Sequence, residues 1–166
     1  IEENGVGVII VTANKRSQSI NDVGMSINAI DNDTLAERGI TDTADLIKVV
    51  PGLTFAQSQT QTPVYTLRGI GFFDNSLASS PTVSIYVDEI PLPFPIMTQG
   101  TTLDLERVEV LKGPQGTLFG QNATGGAINY IAAKPTSSLE AGLNVSVNNF
   151  GNVQAGGFVS GPLSDT

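Results

Sequence analysis

The stretch that decides the fold is Leu105-Glu106-Arg107-Val108-Glu109-Val110-Leu111-Lys112-Gly113-Pro114-Gln115-Gly116-Thr117-Leu118-Phe119-Gly120. Residues 107–111 read as a β-strand, and Glu106, Arg107 and Glu109 alternate in charge along it. The expected use of that alternation is an ion pair with a neighbouring strand. From Gly113 the composition turns glycine-rich and leads into residues 121–126. Gly120 and Gly125 have the first spacing of a phosphate-binding loop, but Gly126 and Ala127 follow where Lys and Ser or Thr are needed. A nucleotide site is therefore set aside, and the glycines read as tight turns and close backbone approaches.

Outward from this stretch lies a β-rich body. Residues 53–56, 64–67, 83–87 and 127–132 are the other strand candidates. Long polar or proline-rich loops cover 57–63, 71–81 and 91–101, and loops of such length are more often functional than accidental. Further upstream, Met25, Ile27, Ala29 and Asp31 alternate with Ser26, Asn28 and Ile30 in a half-buried strand. Two short helices should follow. Asp31 or Asp33 caps the first and Gly39 ends it. Thr41 caps the second, 42–50, with Leu46, Ile47 and Val50 on its apolar face and Pro51-Gly52 as its stop. Downstream, Leu139, Ala141, Leu143, Val145 and Val147 alternate with Glu140, Gly142, Asn144, Ser146 and Asn148. A turn cluster at 148–152 leads to a second alternating run at 153–160. Two runs of about ten residues fit a transmembrane β-hairpin, and on pattern alone they fit a soluble hairpin equally.

The bulk composition excludes several classes. Sixteen acidic and 8 basic residues give a net charge of -8, the wrong balance for phosphate backbones or anionic lipid. With no Cys and no His, disulfides, thiolate nucleophiles, the usual zinc sites and histidine acid–base chemistry fall away. No Ser nucleophile motif occurs. The close carboxylates Asp31/Asp33, Asp88/Glu89 and Asp104/Glu106 lack the spacing of a calcium loop and read as caps and ion pairs. No enzyme, no metal site and no cofactor is expected. The start, Ile1-Glu2-Glu3-Asn4, has neither a basic nor an apolar leader region. No apolar run approaches the ~20 residues of a spanning helix, so any membrane contact is expected through strands.

Residues 8–13 are β-branched and lie between a polar, glycine-containing start and the polar linker 14–22. Such a segment can add as a strand to a partner's sheet edge. On pattern alone, a first strand of the chain's own sheet is the readier reading.

The stretch 105–120, continued by Gly125-Gly126-Ala127-Ile128-Asn129 and Lys134-Pro135, resembles the plug domain of TonB-dependent receptors. Leu46-Ile47, Val50-Pro51-Gly52-Leu53, Leu67-Arg68-Gly69 and Tyr86-Val87-Asp88 fall upstream in the order of that family, and Ile9-Ile10-Val11-Thr12-Ala13 looks like its TonB box. The resemblance covers 8–135, and the hairpin extends it to Gly161-Pro162.

The resemblance implies an α+β fold: a plug of mixed β-sheet with short helices, followed by one antiparallel β-hairpin from the start of a transmembrane β-barrel of about 22 strands. It implies a periplasmic N-terminal segment with TonB box and linker at 1–22, the plug at 23–136 and the first barrel strands at 137–166. The expected function is gating in a bacterial outer-membrane transporter, driven through TonB by the inner-membrane proton gradient. The expected partners are the periplasmic C-terminal domain of TonB at Ile9, Ile10, Val11, Thr12 and Ala13, the chain's own barrel, and a small-molecule substrate such as a ferric siderophore. No nucleic acid is expected, and the membrane is met through the barrel only. The outward loops supply Gln59, Thr60, Phe72, Phe73, Asp74, Phe94 and Met97 as substrate contacts. Arg68, Glu106, Arg107 and Glu109 look like the family's charged plug positions, expected to face one another or the barrel wall. Two strands cannot close a barrel. The chain therefore reads as a domain, fragment or truncated product without the family's optional N-terminal signalling domain. A soluble ligand-binding or adhesion module without TonB coupling is the alternative.

Overall fold

In the computed structural model, which describes residues 9–73, 80–98 and 104–163, the chain forms two units, Ile1–Ala132 and Ala133–Thr166. Asp74, one of the loop candidates, lies outside the described residues, as does the segment 1–8.

The first unit opens with β1 (Ile10–Val11) and β2 (Gln18–Ser19), which pair antiparallel. Next come β3 (Ser26–Asp31) and the helix α1 (Asn32–Glu37). Asp31 caps that helix: its Oδ1 accepts from Thr34 N at 2.8 Å. The Thr34 hydrogen bond holds the Asp31 carboxyl below its ordinary pKa. Gly39, at φ +60°, ends the turn. The second helix differs from expectation. It is a 3-10 helix over Thr43–Lys48, and its cap is Asp42, whose carboxylate accepts from Ala44 N at 2.8 Å. Thr41 instead bonds forward to Asp45 Oδ2. The tighter 3-10 turn serves here as a short connector.

β4 (Leu53–Gln57) and β5 (Pro63–Leu67) form an antiparallel pair. The remaining elements of the unit are β6 (Val83–Val87), β7 (Ile90–Leu92), β8 (Leu105–Lys112), α2 (Gly116–Phe119) and β9 (Gly126–Ala132). β7 falls in a stretch read as loop. The central sheet is five-stranded in the order β3-β8-β9-β6-β7, with β6 and β9 parallel and the other neighbours antiparallel. The mixed sheet with short helices expected of a plug is thus the observed architecture.

The sheet buries both faces. On one, Val108, Val110, Ile128, Tyr130 and Ile85 pack with Leu46 and Val50 and with Leu53, Tyr65 and Leu67 of the β4–β5 pair. On the other, Leu111, Ala127 and Tyr86 pack with Val11, Ala13, Phe119 and Ala123. The first face holds a chain of hydroxyls. Tyr130 OH donates to Thr43 Oγ1 (2.7 Å), Thr43 Oγ1 to the Thr98 carbonyl (3.1 Å), and Thr98 Oγ1 to the Pro95 carbonyl (2.7 Å). The hydrogen of Thr98 is thereby used, so Tyr65 OH is the donor in its 3.2 Å contact with Thr98 Oγ1.

Burial pushes the Tyr65 phenol up to about 12, against a smaller opposing effect of the Thr98 bond. The fold keeps Tyr65 neutral while the unfolded chain ionises near the ordinary value of 10. Stability contributed by this group is therefore full below pH 10 and is lost as pH climbs toward 12. Denaturant midpoints measured across that range should fall, and Tyr65→Phe should make the fall shallower. A slope unchanged in Tyr65→Phe would assign the loss elsewhere.

The second unit is a hairpin of β10 (Glu140–Val147) and β11 (Val153–Ser160), paired Glu140↔Ser160 through Val147↔Val153. Asn148 Oδ1 accepts from both Phe150 N and Asn152 N and sets the turn. Leu143, Val145, Val147, Val153 and Val159 share one face, with Leu143 80% and Val159 78% exposed. Among the described residues no helix is long and apolar enough to cross a membrane.

Candidate functional site

The segment 9–13 lies against the second face of the sheet. Ile20 N donates to the Ile9 carbonyl at 2.9 Å, and β1 continues in the register Ile10↔Ser19 and Val11↔Gln18. In an antiparallel pair the backbone groups of successive residues point to alternate edges. Ile9 and Val11 therefore face β2, and Ile10 and Thr12 face away from it. Val11 and Ala13 are fully buried, while Ile9 and Ile10 are nearly half exposed.

The outward Thr12 N–H is not left to water. It donates to both carboxylate oxygens of Glu109, at 2.8 and 3.0 Å, and Thr12 Oγ1 lies 3.2 Å from each. Glu109 has no exposed surface. Arg107 Nε donates to Glu109 Oε1 at 2.8 Å, and Arg107 Nη1 reaches the partly exposed Glu106. A buried carboxylate held by a guanidinium and a backbone N–H is satisfied on both sides. The ion pair is thus made within β8, not with a neighbouring strand. Arg107 and Glu109 are two residues apart and share a face.

The expected charged set is brought together except for Arg68. Its guanidinium Nη2 donates to Ser26 Oγ at 2.7 Å, and Ser26 is the register partner of Lys112. Arg68 thus sits at the far end of β8 from Arg107, roughly 16 Å along the strand. Burial, and secondly Arg68, hold the Lys112 ammonium below its ordinary pKa. The loop candidates Gln59, Thr60, Phe72, Phe73, Phe94 and Met97 are all exposed. Gln59 and Thr60 lie in the β4–β5 turn, where Thr60 Oγ1 bridges the hydroxyls of Ser58 and Thr62 at 2.9 Å each. Phe94 precedes and Met97 lies within the 3-10 turn Pro95–Thr98 that the hydroxyl chain ties to Tyr65.

One buried polar residue escapes sequence reading. Asn129 is fully buried in β9 opposite Glu109, accepts from Glu89 N at 3.2 Å, and has no partner for its Nδ2 among the described residues. Its signal is a polar residue in the middle of the apolar run 127–132.

A mixed sheet flanked on both faces by short helices, with a docked N-terminal strand on one of them and an apolar-faced hairpin after it in sequence, has the architecture of a plug, a domain that seats within a β-barrel. The family model of the TonB-dependent receptor plug domain matches residues 19–127, and the chain belongs to that family. It is 32% identical over 161 residues to the pesticin receptor of Yersinia pestis, covering 95% of this chain and 23% of that protein. It is 31% identical to the iron-regulated outer membrane virulence protein of Vibrio cholerae, covering 95% of this chain and 26% of that one. Among solved structures, the ferric yersiniabactin uptake receptor FyuA from Yersinia pestis superposes with a TM-score of 0.78 at 30% identity, over 85% of this chain and 22% of the receptor. The chain spans about a quarter of the length of these relatives, and the two from Yersinia pestis are named as receptors.

Proposed function

We propose that this chain is the gate of a TonB-dependent transporter in the bacterial outer membrane. In this reading residues 9–13 bind the periplasmic C-terminal domain of TonB, and β10–β11 begin the barrel around the plug. The observation that carries it is the docked strand. Residues 9–13 pair with only a two-residue strand, outside the five-stranded sheet, and keep Ile9 and Ile10 accessible. A strand held by so few ladder bonds can exchange one β-partner for another. The exposed apolar face of the hairpin suits lipid contact, as barrel strands alternate lipid-facing with lumen-facing residues.

The substrate class that fits best is a ferric siderophore, because relatives are named for ferric yersiniabactin and ferripyoverdine. Phe72, Phe73, Phe94 and Met97 offer apolar contacts, Gln59 and Thr60 hydrogen bonds, and Asp74 a charge. Iron here is cargo. Arg68, Glu106, Arg107 and Glu109 serve as structural charges of the plug.

The test is binding of a peptide of residues 8–13 to the TonB C-terminal domain. Val11→Pro removes an N–H and fixes φ. It should weaken binding about tenfold or more if main-chain pairing carries the affinity. Equal titration curves for the two peptides would count against the assignment.

A further inference from the structure

We propose that Glu109 is a positioning residue that holds the N-terminal strand closed by occupying the strand edge a partner needs. The inference rests on reading residues 9–13 as the TonB-binding segment. β1 has two edges. One is taken by β2 through Ile9 and Val11. On the other, the N–H of Thr12 meets both oxygens of Glu109. The carboxylate stands where the carbonyl of an adjoining strand would stand. A strand adding on that edge needs the same N–H, and one donor cannot serve both at full strength. Pairing on the opposite edge requires β2 to leave. Either route therefore begins by breaking a contact inside the plug.

Three features make Glu109 an effective holder. It comes from β8, an inner strand of the sheet, so its backbone does not follow the departing segment. Its bond to Thr12 is charge-assisted, roughly twice as strong as a neutral one. Glu109 itself is fully buried, as are Val11 and Ala13 on either side of Thr12. When Thr12 leaves, Glu109 keeps Arg107. The open state is thereby populated without stranding a buried charge. The partner's apparent affinity is lowered by the fraction of time the strand is docked.

The test uses the receptor that carries this plug, in detergent micelles, with a nitroxide on Ile9→Cys for mobility and unlabelled protein for titration with the TonB C-terminal domain. Glu109→Gln keeps the shape and removes the charge. It should raise the mobile fraction of the label and tighten TonB-domain binding about tenfold. Thr12→Val, which keeps the N–H and loses the hydroxyl contacts, should raise the mobile fraction of the label by about twofold to threefold; since Thr12 lies in the partner-binding segment it is read by the label alone, and it decides the matter if Glu109→Gln does not fold. A label equally immobile in the variants that fold, or unchanged or weaker TonB-domain binding in a folded Glu109→Gln, would overturn the holding role. If the parent receptor binds no TonB domain while the label still responds, the holding role stands and the assignment of 9–13 to TonB falls.

Discussion

Replacing Gly126 with alanine is expected to destabilise the plug unit by about 3 kcal/mol or more. Gly126 has φ +150°, outside the range of L side chains, and a Cβ there would lie 2.3 Å from the Leu111 carbonyl oxygen and 2.6 Å from Leu67 Cδ2. The carbonyl belongs to the backbone of β8, which cannot yield as a side-chain tip can. Gly126 also pairs on both sides, with Val83 of β6 and with Lys112 of β8, so relief on one flank compresses the other. Gly24→Ala is the control. Its Cβ meets nothing within 4 Å and its φ is not positive, so it should be close to neutral. Urea midpoints of the two variants measure the difference, and equal midpoints would contradict the packing described.

Arg107→Met is expected to cost about 3–5 kcal/mol, because it leaves the carboxylate of Glu109 buried without its cation. Arg107→Lys should recover only part of this. A point charge cannot hold Glu106 and Glu109 together as a planar fork does. The double variant Arg107→Met/Glu109→Met is the informative one. Removing both charges takes away the uncompensated group, so it should be more stable than Arg107→Met alone despite losing the bonds to Thr12. Equilibrium unfolding of the four proteins in the cycle gives the coupling. A double variant as unstable as the sum of its singles would show that the pair does not act as a unit.

Strand positions were readable where side chains alternate without interruption. Residues 83–87 match β6 residue for residue, and the runs on either side of 148–152 match β10 and β11 to within a residue or so. β7 was hidden by its own chemistry. Pro91 reads as a breaker, yet β7 is an edge strand, where a missing N–H costs no ladder bond on the open side. The turn before it, Asp88-Glu89, takes positive φ values of 48° and 67° without glycine, so the usual hairpin signal is absent. The cap of the second helix moved from Thr41 to Asp42 because the shorter helix starts one residue later.

The candidate site was legible as two separate pieces, a β-branched N-terminal segment and a charged strand. Nothing in either piece announces that Thr12 and Glu109 meet, because 97 residues separate them and the contact depends on the tertiary fold. Nor does a strand reading of Glu109 foretell complete burial. Glu109 lies on the face of β8 that Val11 and Ala13 pack against. Arg68 was grouped with the other charges on resemblance, and the register of β3 against β8 sends it to the opposite end of the sheet.

The place of β3 at the margin of the sheet has a mechanical consequence. Once Thr12 has left Glu109, tension applied to residues 9–13 travels along the chain through β2 and arrives at β3 before any other strand of the sheet. β3 has one neighbour, β8, with paired positions running from Ser26 to Asp31. Peeling it away leaves β8-β9-β6-β7 joined, and it takes with it Asp31, whose carboxylate caps α1. β3 is therefore the first strand of the sheet that a pull along the chain can peel, and it peels from the border of the sheet inward.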